Sequence, residues 1–304
     1  QTIFIVPVGM LEQHGPHLPV GSDSIQSEAR AQVTGEALSA RRSNLNVVIF
    51  PLIPLGVHPI ELLNPDFKHI GSFWVRHTTL RDILVDVGLS IANYNFNFIV
   101  IESGHASPMH MMAIDAASKY VSEKRNVKMF HVNPLVGPID VTEINSMLKE
   151  PIDQAELDKA KFDFHAGIWE TSRILYLRPE LVDEGYVKLK STLLEKIEDI
   201  YRRAKDKDWK GFLGTPKLGR KDFGEASLKI YGEGAAEVIL KILDGAEIPE
   251  VERWFQKISV NDQKILDESL YEMERRLEEN LNLWIEESGI LKRYLGDLQN
   301  EGSH

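Results

Sequence analysis

The stretch Glu12-Gln13-His14-Gly15-Pro16-His17-Leu18-Pro19, with Asp23 following at Gly21-Ser22-Asp23, gathers carboxylates and imidazoles into one short segment. Glu12 and His14 lie two apart, so a turning loop can present a carboxylate oxygen and an imidazole nitrogen to one cation, and Asp23 can return to bridge a second. Further along, Phe98-Ile99-Val100-Ile101 runs into Glu102-Ser103-Gly104-His105-Ala106-Ser107-Pro108, which puts His105 just past the end of a strand. A third segment, Asp163-Phe164-His165-Ala166-Gly167-Ile168-Trp169-Glu170-Thr171-Ser172, offers a second imidazole and carboxylate pair, and Gly167 lets the backbone approach a ligand. A single histidine of this kind is more often a hydrogen-bonded structural residue than a ligand. Three such segments, each with its own glycine, point to a metal-dependent enzyme. Imidazole and carboxylate donors without thiolate suit zinc or manganese.

The elements that must hold these groups follow from periodicity. Apolar, β-branched runs at 2–8, 47–53, 98–102 and 128–132 alternate with helical patterns at 24–40, 78–94 and 109–124. Such alternation predicts a layered α/β/α fold with a mostly parallel central sheet, whose ligand loops gather at the strands' carboxyl ends. Gly9 would begin the loop that leaves the first strand. The segment 54–77, with His58, Asn64, Pro65, Phe67, His69, Phe73 and Trp74, is long for a connection; it reads as a substrate-facing lid or as a packed surface loop. A helix or linker is expected from Pro151 to Lys161, and a charged amphipathic helix over 187–206. Beyond Ala246 the composition shifts, and Ile265, Leu266, Leu270, Met273, Leu277, Leu281, Trp284, Ile285 and Leu291 form an apolar stripe on a charged helix over 262–295. The stripe either packs back on its own domain or meets another subunit. The expected organisation is a hydrolase-like domain over 1–245, a helical extension over 246–300 and a tag-like remnant over 301–304.

The first and third segments closely resemble the motifs of the creatininase (creatinine amidohydrolase) family: a strand followed by Glu-Gln-His-Gly-Pro-His-Leu-Pro and an Asp, then Asp-x-His-Ala-Gly-x-x-Glu-Thr-Ser. The second family motif is matched only at Gly104 and His105, and weaker echoes reach Gly224-Glu225-Ala226-Ser227, so the resemblance spans roughly 1–243. It implies a two-metal centre with Glu12, His14, Asp23, His105 and Glu170 as ligands, Asp23 bridging, and His165 as the acid or base that serves the leaving atom. Asp163 either orients His165 or caps a turn. The implied chemistry is attack of an activated water on a carbonyl, without a Ser or Cys nucleophile. Members commonly form rings of six, which implies a homo-oligomer here.

Departures from the family narrow the substrate. Ser107 stands where the family's namesake has a glutamate able to join the metal site, and Ala106 and Lys161 stand where it has aromatic side chains that stack on a flat substrate. Creatinine is therefore not the expected substrate. A small, polar, cyclic carbonyl compound able to use Ser107, Lys161, His58, His69 and Glu102 fits better. Cyclic amide C–N hydrolysis is the default; the alternatives are hydrolytic C–C opening of a cyclic ketone, as in the family's branch acting on 3-dehydro-scyllo-inosose in inositol catabolism, and a member that has lost catalysis and serves binding or assembly.

Composition bounds the rest. At 304 residues and 43% hydrophobic, the chain can bury a full core. It has no cysteine, which removes disulfides and thiolate chemistry and fits a cytoplasmic protein. The net charge of −11 argues against nucleic acid as a partner, and no apolar run reaches the roughly 18 to 20 residues of a membrane span. The chain opens at Gln1 inside a strand pattern, which leaves room for a preceding segment.

Overall fold

A computed structural model describes residues 1–63, 71–159, 163–196, 199–252 and 260–289. In order, its elements are β1 (Thr2–Val8), α1 (Ser22–Arg41), β2 (Asn46–Ile49), α2 (His77–Asn93), β3 (Phe98–Ser103), α3 (Pro108–Arg125), β4 (Lys128–His131), α4 (Asn133–Val136), α5 (Val141–Met147), α6 (Gln154–Lys159), α7 (Ile168–Leu177), α8 (Asp199–Ala204), α9 (Lys221–Leu243) and α10 (Val260–Ser288). The strands form one parallel sheet in the order β2-β1-β3-β4.

The period-2 alternation of the strands sorts their side chains onto two faces. Ile3, Ile5, Phe98, Val100 and Phe130 pack with Leu38 of α1 and Tyr231, Ala235 and Ile239 of α9. Val6, Val8, Ile99, Ile101 and Met129 pack with Leu80 and Leu84 of α2 and Ile114, Ala117 and Val121 of α3. Both faces are thus covered, as a parallel sheet requires, because its strands are apolar on either side. A smaller core of Ile144, Leu148, Leu157, Ile168 and Phe223 seats α5, α6 and α7 against α9.

Two sequence expectations need correction. The run 47–53 is a strand only to Ile49: Pro51 has no N–H for the ladder, and beyond it the pairing shrinks to isolated bonds such as Ile53 N–H to Pro7 O (3.0 Å). The charged run 187–206 is not one helix. A 3-10 turn ends at Lys188, extended backbone follows in which Thr192 N–H donates to Gly214 O (2.9 Å), and Asp199 accepts from the Glu195 and Lys196 amides before the short α8 begins. Bonds to a distant segment override local helical patterning there.

The chain divides into two compact units, Gln1–Arg253 and Trp254–His304. The second contains α10, along which Met273, Leu277, Leu281 and Trp284 are exposed at spacings of three and four. Among the described residues no helix is long and apolar enough to cross a membrane.

Candidate metal centre

The carboxyl ends of β1 and β3 are neighbours in the sheet, Val8 pairing in register with Ser103, so the loops that leave them converge over the start of α1. This convergence needs small residues. A Cβ on Gly9 would meet Ser24 Oγ at 2.4 Å, and one on Gly104 would meet the backbone oxygen of Asp23 at 2.3 Å. The Ser27 hydroxyl knots the junction: it accepts from Gly104 N–H (2.7 Å) and lies against the carbonyls of Val8 (2.8 Å) and Asp23 (2.7 Å).

Around this junction lie three overlapping groups that could each hold an ion, His14–Asp23–Glu170, Glu12–Asp23–His105 and Glu12–His14–His165, of which the first two share Asp23. On one side His14 Nε2 sits 3.4 Å from Asp23 Oδ1 and 3.5 Å from Glu170 Oε2. On the other, His105 Nδ1 sits 3.0 Å from Glu12 Oε2 and 3.3 Å from Asp23 Oδ2. Asp23 therefore offers one oxygen to each set. Both imidazoles are fixed in the tautomer a ligand needs. His14 Nδ1 donates to the Glu12 carbonyl (2.9 Å) and His105 Nε2 to the Val57 carbonyl (2.9 Å), which leaves the opposite nitrogen of each ring facing the carboxylates, available to a metal once it gives up its proton. The second oxygen of Glu12 accepts from Ile60 N–H at 2.5 Å. Glu170 Oε2 accepts from Ala166 N–H at 2.6 Å, an amide aimed there by the left-handed backbone of Ala166 (φ 51°).

The electrostatics favour bound cations. Of the three carboxylates and two imidazoles packed together, Glu170 is 15% exposed and the others are buried. Burial opposes charge on His14, yet Asp23 and Glu170 override it and hold its pKa well above the ordinary value; Glu12 and Asp23 do the same for His105. Burial likewise opposes ionisation of Glu170, and His14 reverses that, holding its carboxyl down at about 2. Two of the atoms aimed into the cluster, His14 Nε2 and Asp23 Oδ2, are buried without a hydrogen-bond partner. Such orphans are costly unless something else fills the place. A divalent ion in each of the two groups that share Asp23 would satisfy both, and the nitrogen and oxygen donors suit zinc or manganese.

His165 lies beside this cluster, its ring 4.3 Å from that of His14, centroid to centroid. Its Nε2 lies 2.8 Å from the Gln13 carbonyl, so Nε2 carries the proton, and its Nδ1 faces Glu170 Oε2 at 4.0 Å. Paired bonds between His165 and Leu213 (2.9 and 2.8 Å) fix its backbone. Asp163 does not touch His165. Its Oδ2 accepts from Ile168 N–H (3.0 Å), Thr215 N–H (2.7 Å) and the Thr215 hydroxyl (2.8 Å), so it caps α7 and ties that helix to the 213–215 segment.

The residues expected to meet substrate scatter more widely. Glu102 must be withdrawn from that role: it is fully buried, with one oxygen on the Thr34 hydroxyl (2.8 Å) and the other on the Tyr231 hydroxyl (2.5 Å), on the α1/α9 side of the sheet. Ser107 donates its hydroxyl to the Val57 carbonyl (2.6 Å), the same oxygen that fixes His105, so it braces a ligand rather than opening toward the cluster. His58 is buried with a left-handed φ of 54°. Lys161 and His69 fall outside the described residues, as do Asn64, Pro65 and Phe67 of the expected lid. The neighbouring 3-10 turn Ile60–Leu63 brings in a residue that sequence reading passed over, Glu61: one of its carboxylate oxygens is buried without a hydrogen-bond partner, and burial raises its pKa. Gln26, one turn beyond Asp23 on α1, was also passed over, although the i, i+3 spacing was visible and puts both on one helix face.

The chain is similar to known proteins. Creatinine amidohydrolase of Pseudomonas putida is 23% identical over 244 residues, 78% of this chain and 88% of that protein. A mycofactocin precursor peptide peptidase of Mycolicibacterium smegmatis is 30% identical over 115 residues, which is 38% of this chain and 44% of the peptidase. Among solved structures, a single-site mutant of creatininase superposes with a TM-score of 0.60 at 19% identity, covering 79% of this chain and 91% of that one. Creatininases solved in a Zn–Zn type and in an Mn form align with TM-scores of 0.57 and 0.55. The family model for creatininase, creatinine amidohydrolase, matches residues 1–239, and the chain belongs to that family.

Proposed function

We propose that this protein is a two-metal hydrolase that opens a small, polar, cyclic amide by attack of water on its carbonyl. The observation that carries the reading is the pair of ligand sets sharing Asp23, His14 with Glu170 on one side and Glu12 with His105 on the other. The chemistry a pair of divalent ions supplies there is Lewis acidity toward water and toward a carbonyl oxygen. His165 holds and moves the proton: with Nε2 committed to the Gln13 carbonyl, Nδ1 is the free base that takes a proton from water and returns it to the departing nitrogen. Glu170, 4.0 Å away, steadies the imidazolium formed in between. Both curated relatives bear names for amide-bond cleavage, an amidohydrolase and a peptidase, which supports C–N over C–C as the bond broken.

Ala106 favours the C–C alternative in one respect. The residue beside His105 is a small exposed alanine that offers a flat substrate no ring at that position, which suits a puckered polyol ring. A screen decides among these readings. Metal-loaded protein is offered cyclic amides, ureides, keto-inositols and creatinine, and formation of new carboxylate is followed. A cyclic amide other than creatinine should turn over best. Preference for a keto-inositol establishes the C–C reading, efficient creatinine turnover shows that the pocket accepts the family's namesake substrate, and a chain that holds less than one ion and turns over nothing is a binding protein.

A further inference from the structure

The polar groups behind Glu170 serve neither the sheet nor the surface. Arg173 lies one turn beyond Glu170 on α7 and is 6% exposed, yet among the described residues no carboxylate is within hydrogen-bond reach of its guanidinium. Its partners are neutral. Nη1 donates to Gln26 Oε1 (3.3 Å), Nε to the Ser227 hydroxyl of α9 (3.2 Å), and the guanidinium stands 5.4 Å from the centre of the Trp169 ring. A buried cation so placed needs nearby negative charge.

Gln26 carries the connection. Its side chain is fully buried, and its Nε2 donates to Glu170 Oε1 at 3.3 Å. Chemistry sets the amide's direction, since the reversed orientation would press the carbonyl against a carboxylate and the NH2 against a guanidinium. With Oε1 held this way and Oε2 taking the Ala166 amide, the orientation of Glu170 toward His14 Nε2 is determined from behind.

We infer that Gln26 and Arg173 form a positioning relay that sets how tightly the ion between His14, Asp23 and Glu170 is held, without touching the ion between Glu12, Asp23 and His105. The inference rests on the two-metal reading above. Neither residue contacts substrate; both act through Glu170. The partners that orient a metal ligand typically govern 10- to 100-fold in affinity.

The test is a Mn2+ titration of metal-stripped full-length protein, with free Mn2+ read by electron paramagnetic resonance and melting of the metal-free protein recorded alongside. Wild type should take up two ions. Gln26→Met, which keeps the volume and deletes both hydrogen bonds, should hold one ion as before and the other 10- to 100-fold more weakly, and Arg173→Met should weaken the same step. If Arg173→Met does not fold, Gln26→Met decides alone. Unchanged affinities with a lowered melting temperature would show that the pair merely staples α1, α7 and α9, and equal weakening of both ions would also overturn the relay. A wild-type chain that binds no Mn2+ removes the metal centre and the relay with it, whereas a two-ion wild type beside an unchanged Gln26→Met removes the relay only.

Discussion

Gly104→Ala tests whether the metal centre depends on how closely the end of β3 approaches α1. The added methyl would sit 2.3 Å from the backbone oxygen of Asp23 and 3.0 Å from its Cα and carbonyl carbon. Real Cβ contacts scarcely ever fall below 3.0 Å, so the two backbones must part by at least 0.7 Å, the difference between 3.0 and 2.3 Å. No side chain can rotate away to absorb this. The Ser27 hydroxyl, which links Gly104 N–H to the Asp23 carbonyl, is stretched in the same direction. Overpacking of this kind costs about 1–3 kcal/mol, or a melting temperature lower by roughly 2–4 °C per kcal/mol in a domain of this size. The functional loss should be larger, because metal-ligand distances tolerate only about 0.2 Å and a misplacement near 1 Å costs about 100-fold in rate. Melting curves of metal-free protein, metal content by mass spectrometry and turnover of the best substrate would be compared with Gly21→Ala, whose methyl meets nothing within 4 Å although it lies two residues from Asp23. A Gly104→Ala protein that keeps two ions and wild-type turnover would refute the argument.

Other perturbations separate the roles assigned above. Asp23→Ala should lose both ions, since each carboxylate oxygen serves a different set; metal analysis showing a full complement would take Asp23 out of the centre. His165→Ala should keep both ions while kcat falls roughly 10²- to 10⁴-fold, and loss of an ion would make His165 a ligand instead. Glu102 gives a pH signature. Burial raises its pKa from 4.5 to about 7 despite the Tyr231 and Thr34 hydroxyls, so the folded chain binds the extra proton between those values and stability must fall as pH rises through that window, by an amount on the order of 3 kcal/mol. Glu102→Gln should flatten that slope in melting experiments between pH 4.5 and 8; parallel slopes for the two proteins would mean that Glu102 does not titrate there.

Glu102 also shows where sequence reading gave out. The ligand segments were legible because each couples a strand end to a glycine and a donor pair, local features that survive without knowledge of the partners. The same strand held the information needed to exclude Glu102, since Phe98 and Val100 share its parity and all three must point to one face of the sheet. What lay out of reach was the occupant of that face. Tyr231, on a helix far along the chain, turns a strand-end carboxylate into a core hydrogen bond. Ser107 fails for a related reason: its hydroxyl, two residues past His105, was offered to a polar substrate, but its partner is a backbone carbonyl on a loop 50 residues away in sequence. Gln26 and Arg173 escaped notice because neither residue type is a ligand. Their meaning depends on the packing of α1 against α7, which no local pattern encodes. A reading from spacing alone thus finds residues whose types could grip a cation and misplaces those one layer out, because ligand chemistry is written in residue types whereas the orientation of each side chain is written in tertiary contacts. The relay and the Val57 carbonyl are two instances of that outer layer, one on each side of Asp23.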